Sequence, residues 1–170
     1  MDLKKFIVDI PNFPEPGVIF RDITPLLNNA LAFKTVIKQL AAYAVAQKAT
    51  VIIAPEARGF LFGPAVSFAT NLRFIPVRKA GKLSRAVIDV KYSYEYAANQ
   101  LEIHAGDLQP NDRVLIVDDV LASGGTARAM CQLVKQEQAK IAGLAFVIDL
   151  TYLNGKKDLD SYPIKTLIEY

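Results

Sequence analysis

Two runs of four apolar residues, Val51-Ile52-Ile53-Ala54 and Val114-Leu115-Ile116-Val117, each stop abruptly at a polar loop containing glycine and then give way to a helix-like stretch. A strand without polar alternation has no face to offer water, so both of its faces must be covered. Strand, loop and helix repeated in that order set successive strands parallel, with helices packed against them. Arg73 to Val77 and Gly143 to Leu150 read as further strands, and Phe60 to about Thr70 and Thr126 to about Gln138 as the helices that follow the two loops. Upstream, Phe33, Val36, Ile37, Leu40 and Ala44 recur at steps of three and four, which lines one face of a long helix. The expected fold is therefore α/β, a doubly wound, mainly parallel sheet flanked by helices.

At 170 residues there is room for one such domain, and 52% apolar residues supply a core that a disordered chain lacks. Twenty Lys and Arg against 17 Asp and Glu leave a net charge of +3, too small a surplus to point to nucleic acid. No stretch approaches the ~18 continuous apolar residues of a membrane span. The segment before Pro11 alternates charged and apolar residues, unlike a secretory signal, and the single cysteine, Cys131, cannot form an internal disulfide. A soluble cytoplasmic protein is expected, with no membrane or nucleic-acid partner. Residues 11–17, with three prolines, form a stiff non-helical loop. Between Lys79 and Leu101 the helical period fails, leaving a long excursion with room for two β-strands.

Ligands of open parallel sheets bind beyond the carboxyl ends of the strands. There, after Val117, stand Asp118, Asp119, Val120, Leu121, Ala122, Ser123, Gly124, Gly125 and Thr126. Gly124 and Gly125 allow close backbone approach, and the hydroxyls of Ser123 and Thr126 with the N–H groups of a helix start suit a phosphate. Asp118 and Asp119 repel phosphate but accept hydrogen bonds from vicinal hydroxyls, so a phosphate beside a ribose satisfies both halves of the loop. The plainer alternative is a strand-to-helix turn whose acidic residues only favour the helix dipole. No nucleoside-triphosphate P-loop or GxGxxG pattern follows any strand.

This segment resembles the phosphoribosyl pyrophosphate signature of type I phosphoribosyltransferases. Pro16 through Leu27 (PGVIFRDITPLL) is similar to the base-binding hood of the adenine phosphoribosyltransferases, and Ala57 through Gly63 (ARGFLFG) and Arg78 through Leu83 (RKAGKL) also resemble that family. The likeness runs in the family's order through nearly the whole chain, as one domain with a hood over about 1–27 and a lid over about 80–101. It implies transfer of the phosphoribosyl group to N9 of adenine, giving AMP and pyrophosphate, with Mg²⁺ carried by the donor and no direct protein ligand. Asp118 and Asp119 would hold the ribose hydroxyls, and Ala122, Ser123, Gly124, Gly125 and Thr126 the 5-phosphate. Arg58, in a loop where the family often has a non-proline cis peptide, would meet pyrophosphate, with Lys79 and Lys82 beside Arg78 and Arg85. Phe20 would stack on the purine, the backbone of Ile19 and Arg21 would read its edge, and Leu150 after the last parallel strand would close the other face. Glu95 matches the lid glutamate that handles the imidazole proton of the base.

Ser123 stands where threonine is commoner in the family, Ser84-Arg85-Ala86 where proline and glycine follow, and Ala97 where glycine does. The resemblance also implies a homodimer. Two alternatives remain open: a 6-oxopurine transferase, which needs Lys156 or Lys157 at the base, and a non-catalytic phosphoribosyl pyrophosphate sensor. His104, in an edge-like stretch from Gln100, receives no role, and Cys131 reads as packing.

Overall fold

The computed structural model describes residues 1–94 and 97–170. Two short strands, Val8–Pro11 (β1) and Ile19–Asp22 (β2), pair antiparallel as a small hairpin outside the main sheet. Helices Thr24–Asn28 (α1) and Ala30–Ala46 (α2) lead to strand Val51–Pro55 (β3), helix Gly63–Thr70 (α3) and strand Arg73–Lys79 (β4). Strands Val87–Tyr94 (β5), Ala97–His104 (β6) and Arg113–Leu121 (β7) follow, then helix Gly125–Gln136 (α4) and strands Lys140–Asp149 (β8) and Ile164–Glu169 (β9). Across the main sheet the order is β5-β6-β4-β3-β7-β8-β9. The strands from β4 to β9 in that order are parallel, and the β5–β6 hairpin joins β4 antiparallel.

The unbroken apolar runs are explained by two cores, one on each face. Val51, Ile53, Val114 and Ile116 pack with Met130, Leu133 and Val134 of α4, whereas Ile52, Leu115 and Val117 pack with Val36, Leu40 and Ala44 of α2 and Val66 of α3. Successive side chains of a strand point to opposite faces, so a strand covered on both sides is apolar at every position. The Asn29 side chain starts α2 by accepting from Ala32 N at 2.9 Å.

Several features differ from the sequence expectation, beyond shifts of a few residues at the ends of β4 and β8. β7 does not end at Val117 but continues through Leu121, because β8 pairs with it as far as Leu121↔Asp149. The helix after β3 begins at Gly63, preceded by a tight 3-10 turn over Arg58–Leu61. β8 is not the last parallel strand: β9 adds beside it, with a half-buried pattern in which Lys165 and Glu169 interrupt the apolar residues. Finally, β6, which carries His104, is not an edge strand: it lies between β5 and β4, although only Leu101 and Glu102 of it pair with β4. Among the described residues no helix is long and apolar enough to cross a membrane.

The β1–β2 hairpin is fastened to the far end of the chain. Arg21 ion-pairs with Asp9 and lies over the Tyr170 ring at 3.8 Å, and Lys4 Nζ donates to the Glu169 carbonyl at 2.9 Å. Ile23 and Leu26 carry the following turn into the core.

Candidate active site

β3 pairs with β4 on one side and β7 on the other, and its pairing with β7 ends at Ile53↔Ile116. Beyond that point β7 runs on with β8 alone, so a crevice opens at the carboxyl ends of the strands, where chain connections diverge to opposite sides. Asp118, 8% exposed, lines it, whereas its neighbour Asp119, 4% exposed, lines neither of the cavities described below. Asp119 N donates to Asp118 Oδ1 at 2.8 Å, and Asp119 Oδ2 ion-pairs with Arg58 Nε at 2.6 Å. Burial first, and then the neighbouring Asp119 carboxylate, push the Asp118 carboxyl well above the ordinary range.

Arg58 reaches this point from the loop after β3, where the Glu56–Ala57 peptide is cis. The loop fits because residue 59 is glycine: a Cβ there would come within 2.6 Å of Pro55 Cδ and 3.0 Å of Asp118 Oδ1. Glu56 anchors it from behind, accepting from Arg78 Nε at 2.5 Å and from Lys79 N at 3.2 Å, and the Arg78 hydrogen bond holds its carboxyl below the usual range.

After β7, Ala122-Ser123-Gly124 turns into α4. Gly124 has φ +83°, and a Cβ on it would collide with the Gly155 carbonyl, as one on Gly155 would with the Ala122 carbonyl. Arg128 Nη1 donates to the carbonyls of Ser123 at 3.1 Å and Lys157 at 3.4 Å, so the loop is clasped against the segment after β8. A cleft of about 350 Å³ runs along it, lined by Asp118, Ala122, Ser123, Gly124, Gly125 and Thr126, with Tyr92 and Asn99 closing it from the β5–β6 hairpin. Backbone N–H groups and two hydroxyls at the start of a helix suit a phosphate.

The second cavity, of about 820 Å³, is mostly apolar. Ile19, Phe20 and Arg21 form one side and Leu150, Tyr152 and Leu153 another, with Arg58 between. Phe20 meets Phe13 edge-on at 5.2 Å, and the Arg58 guanidinium stands 5.3 Å from its ring centre. The Arg21 side chain is committed to Asp9 and Tyr170. Val120 and Ala122 line both cavities, so the two share a wall.

Other expected residues lie apart. Lys79 and Lys82 are exposed at and just beyond the end of β4 and line neither cavity. Arg85 is held by Asp107 at 3.0 Å. Lys156 binds buried Asp149 at 2.7 Å and, with Lys157, lines a separate cavity, so the lysine that a 6-oxopurine site requires is not at the base pocket. Glu95 lies outside the described residues. Burial pushes the Cys131 thiol up to about 12, the behaviour of a packing residue and not a nucleophile. Sequence reasoning missed Val120, Tyr152 and Leu153, whose apolar character carries no functional signal until the hood is folded over them. It also gave Tyr92 no role.

A crevice at a strand-order reversal, with a phosphate loop and paired carboxylates, defines a class, and the phosphoribosyl transferase domain family matches residues 24–169. Within that class, the chain is 51% identical to the adenine phosphoribosyltransferase of Mycoplasma mycoides over the full length of both. Among solved structures, the adenine phosphoribosyltransferase of Thermoanaerobacter pseudethanolicus superposes with a TM-score of 0.95 at 43% identity, covering 99% of this chain and 98% of that one. The enzyme of Saccharomyces cerevisiae, solved with adenine and an imino-altritol bisphosphate, gives 0.93 at 36% identity over 98% and 96%. The chain belongs to the adenine phosphoribosyltransferase family.

Proposed function

We propose that the two cavities divide the substrates of a single displacement. The reaction is the family's pentosyl transfer: N9 of adenine attacks the anomeric carbon of phosphoribosyl pyrophosphate, the bond to pyrophosphate breaks, and AMP forms with inversion. The observation that carries this reading is the wall shared through Val120 and Ala122, which sets a mostly apolar cavity directly beside the cleft that Asp118 and the Ala122–Thr126 turn line.

Adenine lies against Phe20, with Leu150 on its other face and the backbone of Ile19 and Arg21 at its edge. Ala122, Ser123, Gly124, Gly125 and Thr126 hold the 5-phosphate, and Asp118 and Asp119 accept from the ribose hydroxyls. Two ligands held in register turn a bimolecular step into a positioned one. Arg58 lines the apolar cavity and ion-pairs with Asp119; in this reading its charge opposes that of departing pyrophosphate, and Lys79 and Lys82 add to it once the donor is bound. Glu95 manages the imidazole proton of the base. Asp118 lines the cleft with a carboxylate, which fits a donor carrying Mg²⁺ on its pyrophosphate and ribose oxygens. When bound, that ion neutralises leaving-group charge.

The protein acts as a cytoplasmic homodimer. An apolar patch on the helical face supports the second copy: Phe68 on α3 is 91% exposed and Leu31 on the adjoining α2 is 62% exposed. Phe68→Glu is expected to convert a dimer in sedimentation into a monomer with an unchanged far-ultraviolet spectrum. A wild-type monomer, or an undisturbed dimer in the variant, would remove this face as the interface.

Pyrophosphate release from the donor with Mg²⁺, run with adenine, hypoxanthine, guanine, xanthine and no base, tests the reaction. Release with adenine alone, matched by AMP, is expected. Preference for a 6-oxopurine would overturn the base reading, and silence with every base despite donor binding would favour the sensor.

A further inference from the structure

We propose that the Tyr92 hydroxyl is a positioning group for the 5-phosphate, acting through Thr126, and that it ties the β5–β6 hairpin to occupancy of the phosphate loop. The inference rests on the assignment of that loop to the 5-phosphate and goes beyond it to a residue on another element.

Tyr92 Oη lies 3.3 Å from Thr126 Oγ1, with either able to donate, and both residues line the phosphate cleft. Each hydroxyl has one proton. A phosphate oxygen only accepts, so a bound phosphate takes the Thr126 proton and leaves Thr126 Oγ1 as an acceptor. Tyr92 can then donate to it, and the chain runs Tyr92 to Thr126 to phosphate, each bond polarising the next. Without phosphate the Thr126 proton has no such fixed acceptor, and the pair is free to reverse.

The hairpin around Tyr92 is built to hold this geometry. Val90 on the same strand and Leu101 and Ile103 on its partner are buried in the core that includes Met130 and Val134 of α4, and Tyr92 itself packs against that core. Gln136 Nε2 at the other end of α4 donates to the Asp89 carbonyl at 3.2 Å. β5 is thus fixed to the helix whose first turn carries Thr126, and a shift at the phosphate is passed to the hairpin through one hydroxyl pair.

The test is a double-mutant cycle of Tyr92→Phe and Thr126→Val, reading Kd for ribose 5-phosphate and for AMP, KM for donor and adenine, and Tm. Tyr92→Phe is expected to raise the ribose 5-phosphate Kd and the donor KM by about three- to tenfold, the size of one lost hydrogen bond. Affinity for adenosine, which lacks the phosphate, and the KM for adenine should not move, and the Tm should fall only by the small amount that a 3.3 Å hydroxyl contact contributes without phosphate. In the Thr126→Val background the same change should have no further effect, because the relay is already cut. Equal effects of Tyr92→Phe in both backgrounds, or a loss that tracks Tm, would overturn the relay while leaving the phosphate assignment intact. An unchanged ribose 5-phosphate Kd in Thr126→Val would overturn both.

Discussion

Asp118→Asn is expected to give a protein that melts higher than the wild type at pH 8 and turns over the donor roughly a hundredfold less efficiently. Asp118 is buried beside Asp119, and both circumstances raise its pKa above the ordinary 3.8. A carboxyl whose folded pKa is raised binds protons more tightly folded than unfolded. Its contribution to stability is therefore complete below about pH 4 and is lost as pH rises through the folded value. Above that value the native state carries two adjacent buried carboxylates, one of them ion-paired to Arg58. An asparagine keeps the shape and the oxygen that accepts from Asp119 N but removes the repulsion. The difference in Tm should widen from pH 5 to pH 8, each kcal/mol appearing as about 2–4 °C in a domain of this size. In the proposed role the same charge accepts from a ribose hydroxyl and faces a developing cation, and losing it costs ~2.7 kcal/mol, or two decades in kcat/KM. An Asn variant no more stable than wild type at pH 8 would overturn the account of burial, and near-normal kcat/KM would overturn the ribose assignment.

Gly124→Ala is expected to raise the donor KM by about a hundredfold or more and to lower Tm. Two costs act together. At φ +83° an alanine meets a left-handed backbone penalty of roughly 1–2 kcal/mol. Its Cβ also meets the Gly155 carbonyl and Arg128 Nη1, so the loop cannot keep its place against the segment after β8. The penalty thus falls on the N–H groups proposed to cradle phosphate, which must be correct to within a fraction of an ångström. Gly17→Ala separates the two costs, since Gly17 has φ +86° and nothing within 4 Å of its absent Cβ. That variant should lose a little Tm and leave donor KM unchanged. If the two variants behave alike, the close packing of Gly124 on Gly155 does not matter for the donor.

Much of the molecule was legible from local pattern. The apolar runs over 51–54 and 114–117 specified strands covered on both faces, and the dipeptide Asp118-Asp119 before a small-residue turn pointed to the crevice that the proposal assigns to phosphate and ribose. β9 was not legible: its residues alternate with Lys165 and Glu169, and only pairing with β8 makes a strand of them. The same holds for β7 beyond Val117, whose extent is set by the strand beside it. The short, largely exposed hood strands β1 and β2 carry almost no period, and their position depends on Arg21 and Lys4 meeting the chain end at Tyr170 and Glu169.

The cationic stretch from Arg78 to Arg85 shows the limit most clearly. Composition marked four positive charges, but Glu56 claims Arg78 and Asp107 claims Arg85, partners 22 residues away in each case. Likewise Lys156 was a candidate for the base until Asp149 held it elsewhere. The sequence by itself determined the fold class and singled out the small-residue turn that the proposal assigns to phosphate, because these depend on periodicity and on contiguous residues. Which charges remain free, which residues close the base cavity and how Tyr92 meets Thr126 were decided only by the tertiary structure, because each depends on groups brought together from distant parts of the chain.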